Sequence, residues 1–127
     1  MKKALIIPKT KMHFFVLFIF VFLFPCTVMA NPPKSLDIKY DEAAQKLIVS
    51  IDHKSLFATK HYINRVEVSV NGKTIISKEY KNQPENNPFE YTYIVTAAKG
   101  DVINVKASCN IFGSKKAEIK VGSPDKK

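Results

Sequence analysis

Two histidines and one cysteine, His53, His61 and Cys109, are the residues of this chain whose types could do chemistry together. Two imidazole nitrogens and a thiolate form a set that suits zinc or copper and holds ferrous iron less well against competition. His53 stands eight positions before His61, and the intervening loop Lys54–Lys60 could bulge to present it. A blander account stands beside each residue. His53 could be a solvated loop residue, and His61 an ordinary surface histidine on the Arg65 and Glu67 side of a strand. Cys109 could be a small hydrophobe buried in a row with Val105 and Ala107.

No other constellation competes. The sequence has no Gly-x-Ser-x-Gly elbow, no glycine loop that could cradle a phosphate and no paired-cysteine redox motif.

The elements that must position these residues are strands, because side chains of alternating character recur along most of the chain. Leu36, Ile38 and Tyr40 alternate with Asp37 and Lys39, and Leu47, Val49 and Ile51 with Ile48 and Ser50. The same period governs Val66, Val68 and Val70, then Phe89, Tyr91, Tyr93 and Val95. Ile103, Val105, Ala107 and Cys109 make a further row, and Ala117, Ile119 and Val121 the last. Asn71-Gly72, between two β-rich runs, predicts a tight hairpin because both residues tolerate positive φ, so Lys73–Tyr80 is the partner strand. Asn82–Pro88 reads as a polar loop and Lys99-Gly100-Asp101 as a turn. About seven short strands in fewer than 100 residues predict an all-β, immunoglobulin-like antiparallel sandwich.

Ahead of the strands, residues 1–30 have the order of a secretory signal peptide. Lys2, Lys3, Lys9 and Lys11 form a basic start, Phe14–Phe24 an unbroken apolar core, and Val28-Met29-Ala30 a cleavage pattern. A retained anchor is the rival reading. The core is only 11 residues long, about half of the roughly 20 that a span requires, and Pro25 interrupts it. The expectation is therefore an exported protein, periplasmic or secreted, with no stable membrane span after processing. Its working part is one domain, residues 31–127.

Processing removes four of the 20 basic residues, leaving 16 against 11 acidic ones and a charge of +5. That mild field could draw small anions inward. It is not a nucleic-acid footprint, since the lysines are scattered among Asp and Glu without a basic run or stacking motif. Cys109 alone of the two cysteines survives processing, which excludes an intrachain disulfide.

Two stretches carry a family likeness. His61–Lys73 and Val105–Gly113 together resemble the superoxide reductase module of desulfoferrodoxins and neelaredoxins, with a His-Tyr-Ile opening and a Cys-Asn pair near the end. A looser likeness runs over Lys34–Val121. The resemblance implies a ferrous iron held by four histidine nitrogens and an axial cysteine thiolate, superoxide as the small-anion partner, and a nearby lysine that attracts it. Lys34 and Lys60 are candidates for that last role.

Carried onto this sequence, the resemblance assigns His61 and Cys109 as ligands. The family's closing histidine falls on Phe112, its second on Ser55 and its first near Lys34, so three of five ligands are absent. His53 is the one candidate substitute. Phe112 is expected to fill the vacated ligand position and keep water out. Two functions follow: an iron- or metal-binding oxidoreductase relative, or a non-catalytic sandwich that binds a protein or small ligand. In the second, there is no cofactor at all.

Overall fold

Each of the alternating runs becomes a strand in the computed structural model, which describes residues 31–123. The signal-peptide reading of residues 1–30 and the tail 124–127 lie outside the described residues. The strands are β1 (Ser35–Asp41), β2 (Lys46–Asp52), β3 (Ile63–Val70), β4 (Lys73–Glu79), β5 (Phe89–Ile94), β6 (Val102–Cys109) and β7 (Ser114–Lys120). All pairings are antiparallel. One sheet has the order β1-β2-β5 and the other β4-β3-β6-β7. No helix occurs among the described residues, so none there is long and apolar enough to cross a membrane.

Alternation sends every second side chain to one face, and the inward rows of the two sheets meet. Leu36, Leu47, Val49, Ile51 and Phe89 face Ile63, Val66, Val68, Ile103, Val105 and Ala107, all buried. Fully burying one such side chain contributes about 1.5–3 kcal/mol. Cys109 is a free thiol, so packing carries the described domain without a disulfide.

The hairpin has the predicted chemistry. Asn71 and Gly72 have φ of 49° and 82°, the left-handed geometry of a two-residue connection whose twist matches its strands.

β3 departs from strict alternation in a way that matters for the site. Ile63 pairs with Cys109 but Arg65 pairs with Ser108, so two residues of β3 oppose one of β6, with Asn64 as the extra residue. Such a bulge bends the strand and changes the parity of what precedes it. It lets Ile63 and Val66, three positions apart, both point into the core. A second shift, Val68 opposite Ile76 and Ser69 opposite Thr74, leaves Ile75 as an extra, exposed residue on β4.

The registers place the starts of β1, β3, β5 and β7 and the ends of β2, β4 and β6 at one end of the molecule. The leader 31–34, the β2–β3 crossover 53–62, the loop 80–88 and the turn 110–113 gather there. His53, His61 and Cys109 belong to this end.

Candidate metal centre

His53 follows β2 directly, His61 precedes β3 by two positions, and Cys109 ends β6 opposite Ile63. One donor atom from each, a ring nitrogen or Sγ, lies within 4.8 Å of the other two. The imidazole rings meet edge to face with centroids 4.6 Å apart. All three candidates from the sequence are thus brought together.

Gln83 fixes the state of His53. The Gln83 side-chain oxygen accepts the Ile63 backbone N–H at 3.1 Å, and its nitrogen donates to the His53 carbonyl at 2.7 Å. Those backbone groups leave only one orientation for the amide, since an N–H can only donate and a carbonyl only accept. His53 Nδ1, 2.7 Å from the same Gln83 oxygen, must therefore carry a proton and donate. In the neutral ring the lone pair then sits on Nε2. Orientation of a ligating histidine through its other nitrogen is the usual support of a metal site.

The freed nitrogens have nothing to bond. His53 Nε2 and His61 Nε2 are both buried and without a hydrogen-bond partner. A buried ring nitrogen left unpaired costs about 1–3 kcal/mol, and here two of them lie in one cluster beside a thiol. Burial first, and the His53 ring beside it next, lower the pKa of His61 below the ordinary histidine value. Its ring is therefore neutral, and able to ligate, at neutral pH.

Asn110 ties Cys109 to His61. Its side-chain oxygen accepts the Tyr62 N–H at 2.9 Å and its nitrogen donates to the Lys60 carbonyl at 2.9 Å. The Asn110 backbone N–H donates to the Tyr62 carbonyl at 3.0 Å. Three bonds thus clamp the residues on either side of His61 to the residue after Cys109. Behind the clamp, the Cys109 N–H donates to the Gly113 carbonyl at 2.9 Å and closes a tight turn. Gly113 has φ of 101°, and a Cβ there would lie 2.7 Å from the Pro32 nitrogen. Glycine alone fits, and the leader packs against the turn in the space it leaves.

Three expectations need correction. His53 is not a solvated loop residue: it is 3% exposed, because its N–H donates to the Asn87 side chain at 2.7 Å and its ring to Gln83. Phe112 does not fill a ligand position. It is 60% exposed, because the positive φ of Gly113 and the bond from the Asn31 N–H to the Phe112 carbonyl, 2.7 Å, hold the turn with this ring outward. Cys109 is the last member of the core row, and its Sγ also lies within reach of both histidines. His61 is half-buried rather than on the surface, since the bulge at Asn64 breaks the alternation that put it beside Arg65 and Glu67.

The other positions of the resemblance contribute no donor. Ser55 is spent locally, its hydroxyl accepting the Phe57 N–H at 3.2 Å. Lys34 stands 3.7 Å from Asp52, and Lys60 lies over the Phe57 ring, 5.9 Å from its centroid. Four imidazoles and a thiolate are therefore not available, and the residues present do not fit the family's iron centre. They do fit a smaller site. Zinc bonds of about 2.0–2.3 Å place donors roughly 3.5 Å apart, so small side-chain rotations close the cluster on an ion.

Gln83 and Asn87 escaped the reading of the sequence, where they stand among ordinary turn residues of 82–88. Compared with models of protein families and with curated proteins, the sequence matches none.

Proposed function

We propose that the domain is an exported metal-binding module of immunoglobulin-like architecture, holding one zinc or copper ion through His53 Nε2, His61 Nε2 and Cys109 Sγ. The observation that carries this reading is the pair of buried, unpartnered Nε2 atoms beside the cysteine. The likeness of the His61 and Cys109 motifs to a superoxide reductase module supports the reading, in which two of that module's ligands are kept and His53 serves as a third. Three protein donors and a solvent ligand leave a bound ion one position for a small anion. The protein's part is support: Gln83 holds the His53 tautomer, Asn110 holds the loop at His61, and the β6 register holds Cys109.

Superoxide reduction of the family's kind is not the reaction proposed. It relies on iron tuned by a complete ligand set and its outer partners, and that set is missing here.

Competition titration with a zinc-binding dye tests the reading. The reduced domain is expected to bind one equivalent. Replacing His53, His61 or Cys109 by Ala should each weaken binding at least about tenfold, the smaller loss seen when even a supporting residue is removed. Equal zinc affinity in all three variants would assign the cluster to the core alone.

A further inference from the structure

Large apolar side chains are not spread evenly over the surface. Of the six that are exposed among the described residues, Leu56, Phe57, Ile111 and Phe112 sit in the crossover 53–62 and the turn 110–113. These two segments are joined by the Asn110 bonds to Lys60 and Tyr62, so the four share one end of the molecule. Leu56 is 96% exposed and Phe57 66%. Single exposed apolar residues are ordinary, whereas a group of them marks a contact surface.

The loops around the group are net positive, and Asp52 at the end of β2, 3.7 Å from the Lys34 ammonium, is the acidic residue at their edge. The leader 31–34, the crossover and the turn contain Lys34, Lys54 and Lys60 and no acidic residue. Lys115 adds a fourth cation, its ammonium donating to the Lys34 carbonyl at 2.6 Å. The remaining loop, 80–88, contributes Lys81 and Glu85, which cancel. Apolar tips flanked by lysines match an anionic bilayer surface, where the tips enter the headgroup boundary and the ammonium groups meet lipid phosphates.

Asn31, the first residue after the expected cleavage, donates its N–H to the Phe112 carbonyl at this end. The polypeptide thus enters the domain beside the exposed apolar side chains.

We infer that this end of the domain docks peripherally on anionic lipid membranes through Leu56, Phe57, Ile111 and Phe112, with Lys34, Lys54, Lys60 and Lys115 around them. The site does not depend on the metal, though it brings the cluster to the membrane face.

Vesicle sedimentation tests this. Every strand and core residue lies between Leu36 and Val121 or within one position of them, so residues 31–127 carry a complete core and serve as the test protein. The domain is expected to sediment with phosphatidylglycerol-rich vesicles, to ignore pure phosphatidylcholine, and to release as salt rises. A Leu56→Ser, Phe57→Ser, Phe112→Ser variant should bind tenfold more weakly or worse, since one buried apolar side chain contributes roughly tenfold. The chain has no tryptophan, so Phe57→Trp gives a second reading whatever the triple variant does: its emission should shift to the blue only with anionic vesicles. Absence of sedimentation with those vesicles would overturn the inference, as would undiminished binding by the triple variant or unshifted Phe57→Trp emission. A dimer in free solution that the triple variant breaks, with no vesicle binding, would assign the surface to a second copy of the chain instead.

Discussion

At the scale of single residues, the site rests on one amide. Gln83 uses both ends of its side chain on backbone and His53 together, and it is 6% exposed. Gln83→Ala would strand three buried groups: His53 Nδ1–H, the His53 carbonyl and the Ile63 N–H. At about 1 kcal/mol or more for each, the loss of stability should reach roughly 3 kcal/mol in urea unfolding. Zinc affinity should fall about 10–100-fold, as it does when supporting residues are removed. The sequence names the donors but not this support. His61 and Cys109 are visible in short motifs, and His53 by residue type alone. Gln83 is invisible because its partners lie 20 and 30 residues away in the chain, and only the closing of the two sheets brings them together.

At the scale of elements, period-two alternation locates six of the seven strands, because an inward row must be apolar wherever one face is buried, and the Asn71-Gly72 turn locates β4. What alternation cannot give is parity across a bulge. The extra residue at Asn64 turns Ile63 inward and carries His61 off the solvent face, and no residue in that stretch announces it. β5 offers a test of packing between the sheets. Its Tyr91 stacks on Tyr80, ring centroids 4.3 Å apart, and its Tyr93 hydroxyl lies 2.7 Å from that of Tyr80. Burial, then the neighbouring Tyr80, pushes the Tyr91 pKa up to about 12. Burial, then the Tyr80 hydrogen bond, raises Tyr93 as well. A raised folded-state pKa means that the unfolded chain gives up its protons first. Stability is therefore full below pH about 10, the unfolded value, and declines as pH rises towards 12. Urea midpoints measured from pH 9 to pH 11 should fall accordingly, as order-of-magnitude markers of that window. Tyr91→Phe together with Tyr93→Phe should flatten the decline. An unchanged slope in that variant would place the alkaline sensitivity elsewhere.

At the scale of the molecule, the two ends of the sandwich have different work. One carries the β3–β4 hairpin and the Asn71–Asp101 bond of 2.9 Å, which tie strands together. The other gathers the leader, the crossover, the loop 80–88 and the Cys109–Gly113 turn around a His/His/Cys cluster. It also displays the apolar tips proposed to meet lipid. Its chemistry reduces to whether Cys109 is a ligand or only the last side chain of a core row. Cobalt titration of the reduced domain, followed by absorption, separates the two. One equivalent of cobalt should bind with an intense thiolate-to-metal charge-transfer band that zinc displaces and Cys109→Ala abolishes. A weak spectrum lacking that band, identical in wild type and Cys109→Ala, would contradict the metal centre and leave Cys109 as packing alone.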